Sequence, residues 1–258
     1  MPKRQVLYRS KGELEEIKQG MEAFELMPTD DIGSYSVLVA GKEGQGKSHL
    51  ACSIASSGKP VYMLDTEHKG HIVANKFGIN YARISTYLDL KVAILAIMAK
   101  NEPGWIIIDS GSDIQQWAEE DYLELTKQEK VYPLFNWAEV FGRIDVLNNR
   151  MKQKGFNFIY TARMKAEYVN DKTTGSDIPH IYKRLPYMVD MVLQIHNDEL
   201  YITKNGFTKG VKKKPEDILL GQKVDKEMNL WEILLHEKEK ARLEAVNNNN
   251  LNGGKNGS

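Results

Sequence analysis

Eight consecutive residues, Gly41-Lys42-Glu43-Gly44-Gln45-Gly46-Lys47-Ser48, constrain this chain more than anything else in it. They satisfy the pattern G-x-x-x-x-G-K-[S/T], a loop whose glycines let backbone N–H groups wrap closely around a phosphate chain. The pattern has meaning only between a strand and a helix, because the helix N-terminus adds its own donors and dipole. That context is present: residues 35–40 are apolar and β-prone, and residues 49–57 suit a helix. Lys47 is placed to reach the β- and γ-phosphates, and the Ser48 hydroxyl to bind Mg2+. Gly41, Lys42, Glu43, Gly44, Gln45, Gly46 and His49 are expected to surround the nucleotide. A purine nucleoside triphosphate with Mg2+, bound and hydrolysed, is therefore the ligand predicted.

Further along, residues 60–65 form a short apolar stretch ending in Asp65, and residues 81–84 a third candidate strand, followed by a helical run over 88–100. Trp105-Ile106-Ile107-Ile108 has no polar face to turn toward water, so it predicts a strand buried on both sides, ending at Asp109. Residues 112–130 and 137–152 read as helices, the second with Val140, Ile144, Leu147 and Met151 at helical spacing. Another strand is expected at 156–160, and two last ones at 188–195 and 200–203, joined by an Asn197-Asp198 turn. Residues 165–185 are polar and turn-rich, and predict a long mobile functional loop. The alternation of strands and helices implies an α/β fold: a mostly parallel twisted sheet with helices on both faces and ligands at the strand carboxyl ends. Residues 1–33 form an expected arm, 34–225 the core, 226–246 a terminal helix, and 247–258 a tail too polar to order itself.

Two carboxylates complete the predicted chemistry. Asp109, at the end of a buried strand beside the loop, can hold Mg2+ through water. Glu67, just past the strand that follows the loop's helix, can orient or deprotonate a water attacking the γ-phosphate.

The order of phosphate loop, Leu64-Asp65-Thr66-Glu67-His68, Ile106-Ile107-Ile108-Asp109-Ser110 and Phe158-Ile159-Tyr160-Thr161-Ala162-Arg163-Met164-Lys165 resembles the bacterial RecA core. It is most similar to the compact phage RecA-like ATPases of the Sak type, linked to single-strand annealing and recombination, over about residues 34–206. The resemblance implies a RecA-like P-loop NTPase core, Glu67 as catalytic base and Thr161 as nucleotide sensor. It implies Arg163 and Lys165 as a basic pair at the mouth of a DNA loop that also holds Lys172, Tyr182, Lys183 and Arg184. Lys204 matches the first of two lysines that reach across a subunit interface, so the resemblance implies a finger acting in trans within a homo-oligomeric ring or filament. Single-stranded DNA is the implied partner, with a single-strand binding protein as a further one, in the cytoplasm of a phage host.

Charge supports an anionic partner locally and not globally. The 258 residues carry 35 basic and 35 acidic side chains, yet residues 150–214 hold thirteen Lys and Arg against six Asp and Glu. Tyr168 and Tyr182 lie in this basic stretch, where stacking on splayed bases is expected. The other eye-catching residues read as ordinary: six histidines without ligand spacing, four tryptophans in packing patterns, and Cys52, a single cysteine that cannot form an internal disulfide. No apolar run reaches membrane-spanning length, and the basic start lacks an apolar stretch behind it, so neither a membrane span nor a secretory signal is expected. Sequence leaves open a motor subunit of a helicase or packaging machine, a small-molecule kinase, and a nucleotide-gated binding module with negligible turnover.

Overall fold

Apolar runs with no polar side have to be covered on both faces, and four of them form the middle of a nine-stranded sheet. The structure, a computed structural model, describes residues 34–131, 134–207 and 221–253. The chain runs from β1 (Ser36–Gly41) through the phosphate loop into α1 (Lys47–Cys52) and a short 3-10 turn (Ser53–Ser57). β2 (Val61–Asp65), α2 (His71–Lys76), β3 (Asn80–Arg83), α3 (Tyr87–Met98) and β4 (Trp105–Asp109) follow, then α4 (Ile114–Thr126) and α5 (Leu134–Gln153). The second half holds β5 (Asn157–Val169), β6 (Lys172–His180), α6 (Leu185–Met188), β7 (Met191–His196), β8 (Glu199–Asn205), β9 (Gln222–Val224) and α7 (Leu230–Gly253).

Strand order is β3-β2-β4-β5-β1-β7-β8-β9, with β6 pairing only β5. The strands from β3 to β7 in that order pair in parallel, and β8, β9 and β6 join antiparallel. This is the expected α/β architecture, a mostly parallel sheet with helices on both faces. Alternate residues of each central strand feed opposite cores. Leu38, Leu64, Ile106 and Tyr160 pack against α3, α4 and α5, while Val37, Met63, Ile107 and Ile159 pack against α1 and α7. Trp105 stacks on Tyr35 and meets Trp231 edge-on, which ties α7 to the sheet. A reciprocal cap starts that helix: the Glu232 carboxylate accepts from the Asn229 N–H at 2.9 Å, and the Asn229 side-chain Oδ1 accepts from the Glu232 N–H at 3.0 Å.

Three expectations are corrected. Residues 165–185 do not form a long loop: β5 continues to Val169 and folds back as β6, a β-hairpin turned by Asn170 and Asp171 at φ 51° and 62°. The expected last strands gain a further edge strand, β9. The terminal helix runs past Val246 to Gly253. The N-terminal arm at residues 1–33 and the tail beyond Gly253 lie outside the described residues. Among the described residues no helix is long and apolar enough to cross a membrane.

Candidate nucleotide site

The phosphate loop leaves β1 at the carboxyl end of the sheet, and its geometry depends on two glycines. Gly44 and Gly46 take φ of 78° and 83°, a left-handed conformation that a side chain makes costly. Gln45 closes the loop on itself, its side-chain oxygen accepting from the Lys42 N–H at 2.7 Å. The Lys47 ammonium donates to the Lys42 carbonyl at 2.8 Å, folded over the loop where phosphates would lie. Burial pulls its pKa below the ordinary lysine range, while Glu67, Asp109 and Glu43 pull it back up. Lys47 is thus a cation stripped of part of its water and facing carboxylates, which favours exchange for phosphate oxygens.

Asp109 is not on the strand next to the loop. β5 lies between β4 and β1, and Thr161 on β5 fills the gap, its hydroxyl donating to Asp109. Burial pushes the Asp109 pKa up, and hydrogen bonds from Thr161 and Ser48 act the other way. Ser48 and Asp109 therefore face each other. One hydroxyl and one carboxylate are hard oxygen donors that fit Mg2+, which completes its shell with phosphate oxygens and water. No group of three His, Cys, Asp or Glu able to hold a metal occurs among the described residues.

Glu67 sits on a loop built by Asp65, a residue whose role sequence reading missed. Asp65 is fully buried. Its Oδ1 accepts from the N–H groups of Glu67 at 3.0 Å and His68 at 2.9 Å. Its Oδ2 accepts from the Gly70 N–H at 2.7 Å and the Tyr81 hydroxyl at 2.8 Å. With four donors satisfied by one carboxylate, the loop carrying Glu67 is fixed. Only the position of Asp65, an acid ending an apolar strand beside Asp109 in register, hinted at this.

Beside Gly46 and His49 opens a pocket of about 550 Å³, bounded by Phe77, Ile195, Leu200 and Asn229. Lys47, Glu67 and Asp109 do not line it, so it adjoins the phosphate site without containing the chemistry. The His49 ring meets Phe77 edge-on at 4.8 Å, and burial lowers its pKa; the aromatic pair forms one wall.

The expected DNA-contacting residues divide. Lys165 and Lys172 are exposed on the hairpin, Tyr168 is 66% exposed, and Lys183 is exposed. Arg184 pairs with Asp145 at 3.2 Å and lies over Phe141. Tyr182 is corrected: it is 1% exposed, packs on Phe141, and donates its hydroxyl to Asp145 at 2.9 Å, so it cannot stack on a base. Arg163 turns toward the nucleotide site, with both Asp113 oxygens and Glu67 around its guanidinium. Lys204 is not brought to the chain's own phosphate loop. Paired with Val192 in β7, it sits at the opposite end of the sheet, and its ammonium donates to the carbonyls of Tyr187, at 2.8 Å, and Val189.

The family model described as an AAA domain matches residues 34–219. No curated protein matches the chain. Among solved structures, the RadB recombinase is similar at 15% identity and a TM-score of 0.44, over 71% of this chain and 84% of that one. A KaiC-like protein from Pyrococcus horikoshii is similar at 14% identity and 0.40, over 73% and 89%. A type III secretion ATPase of pathogenic bacteria is similar at 14% and 0.42, over 64% of this chain and 53% of that one, so the chain spans about half its length.

Proposed function

The chain belongs to the AAA domain family of phosphate-loop ATPases, and from that premise we propose that it hydrolyses ATP with Mg2+ and couples turnover to single-stranded DNA. The observation that carries the ATPase reading is the convergence of Lys47, Ser48, Asp109, Thr161 and Glu67 at the ends of four neighbouring strands. Lys47 takes the β- and γ-phosphate oxygens, and the loop N–H groups hold the rest of the chain of phosphates. Ser48 and Asp109 would hold Mg2+, which would neutralise charge gathering on the phosphates. Glu67 accepts the proton of a water whose oxygen bonds to the γ-phosphorus, while the bridging oxygen leaves with ADP. Thr161, hydrogen-bonded to Asp109, is suited to register whether the γ-phosphate is present. The pocket lined by His49 and Phe77 accommodates the nucleoside.

The nucleic-acid part is supported by the β5–β6 hairpin, which exposes Lys165, Lys172 and Tyr168. Cations there neutralise backbone phosphates and the tyrosine stacks on a base of any identity. The resemblance to the RecA core favours assembly of several copies into a ring or filament.

Two substitutions separate binding from chemistry. Lys47→Ala is expected to lose both ATP binding and turnover, whereas Glu67→Gln keeps ATP binding and loses turnover by about a hundredfold or more. Wild-type turnover in Glu67→Gln would remove it as the base. Neutralising Lys165 and Lys172 should weaken oligothymidylate binding and flatten its salt dependence, and an unchanged slope would take the hairpin out of the binding site.

A further inference from the structure

The start of the hairpin reaches back into the nucleotide site through one side chain. Arg163 lies two residues beyond Thr161, and its backbone N–H donates to Ser112 Oγ at 3.0 Å. Nη2 contacts both Asp113 oxygens, at 2.5 and 2.6 Å. On its other side Nε lies 3.6 Å from Glu67 Oε1, an ion pair too long for a hydrogen bond. Nε is buried and has no hydrogen-bond partner among the described residues. The guanidinium is thus anchored firmly on Asp113 and loosely on Glu67. A second tie runs in parallel, from Asp177 on the returning strand to Lys42 of the phosphate loop at 3.0 Å.

A carboxylate drawn into an ion pair is turned toward the cation and not toward an attacking water. Arg163 therefore works against Glu67 as long as the pair persists. On the far side of Asp113 lies a cleft of about 380 Å³, lined by Lys165 and His180 from the hairpin and by Ser112 and Glu119. His180 pairs in register with Arg163 across the hairpin. A phosphate held there by Lys165 would compete with Asp113, which also lines the cleft, for the neighbouring Arg163 guanidinium, because phosphate and carboxylate make the same charge-assisted contacts.

We propose that Arg163 is a positioning residue for Glu67: bridging Glu67 and Asp113, it holds the base in an ion pair, and a polyanion bound at the base of the hairpin draws the guanidinium off and frees it. This rests on the ATPase reading above and supplies a route by which nucleic acid raises turnover.

The test uses the full chain, steady-state ATPase, and oligothymidylate as the polyanion. Arg163→Gln is expected to raise basal kcat about threefold or more, to leave KM for ATP within about twofold, and to respond little to added oligonucleotide. A merely structural arginine would not raise kcat on removal, and one that touched the transferring phosphate would lower it. Arg163→Lys keeps the charge but cannot span both carboxylates, so its basal rate should fall between wild type and Arg163→Gln. Basal kcat of Arg163→Gln at or below wild type overturns the proposal; if that variant does not fold, so does an Arg163→Lys rate no higher than wild type. Loss of the nucleic-acid reading looks different: wild type is then unstimulated by oligothymidylate while Arg163→Gln is still faster at baseline.

Discussion

Asp65 and Asp109 end neighbouring strands in register, yet their surroundings give them different work. Every oxygen of Asp65 is engaged by the loop that follows it and by Tyr81, so it builds structure. The Asp109 carboxylate meets movable hydroxyls, from Thr161 and Ser48, which a metal can replace. The same environment silences Cys52. Its thiol is fully buried beside the Met63 sulfur, and burial, helped by Asp109, pushes its pKa up to about 12. Because only the thiolate is nucleophilic, roughly one thiol in ten thousand is reactive at pH 8 even before access is counted. Iodoacetamide at pH 8 is therefore expected to leave the native chain unlabelled and to alkylate Cys52 fully in denaturant, with mass spectrometry as the readout. Rapid labelling of the native protein would show that α1 and the sheet separate readily.

Among the elements, the β5–β6 hairpin carries most of the difference between what could be read and what folds. Phe158, Ile159 and Tyr160 announce the inner half of β5 because they are buried. From Lys165 to Ser176 most of the hairpin's residues meet water on both faces, so no apolar alternation marks it, and the polar stretch looks like a loop. One usable signal was present: Asn170 and Asp171 are adjacent, and both residue types tolerate the left-handed conformation that a two-residue hairpin turn needs. The charge of Lys165 and Lys172 was legible, but the pairing of Arg163 with Glu67 and Asp113 depends on where β5 lies between β4 and β1, which no local pattern encodes. Replacing Asn170 and Asp171 together with alanine should cost about 1–2 kcal/mol per residue of local stability. Amide exchange from Tyr168 to Thr173 is expected to speed up by roughly tenfold or more, with the thermal midpoint of the chain nearly unchanged. A fall of the midpoint in step with the exchange would mean that the hairpin unfolds with the core.

At the scale of the whole molecule, the sheet separates two cores and leaves the nucleotide site at one edge of both. The central strands were legible because Val37 to Ala40 and Trp105 to Ile108 are buried on both faces; β9 was not, because Gln222-Lys223-Val224 is a short polar edge whose partners, Glu199 and Glu237, are distant in sequence. Strand order was beyond local reading too, and it decides the chemistry, since inserting β5 brings Thr161 between the phosphate loop and Asp109. A ligand gathered by β1, β4 and β5 together should stabilise the molecule as one unit, because its binding is lost only when those strands separate. At a hundred times its Kd, ATP with Mg2+ adds about 2.7 kcal/mol by linkage. For a domain of this size that corresponds to a rise in Tm of roughly 5–10 °C. Chelating the metal should remove most of the shift, since Ser48 and Asp109 then face bare phosphate charge, and Lys47→Ala should remove nearly all of it. An equal shift from ATP in the presence of EDTA would dissociate Ser48 and Asp109 from any metal, and a full shift in Lys47→Ala would put the nucleotide somewhere other than the phosphate loop.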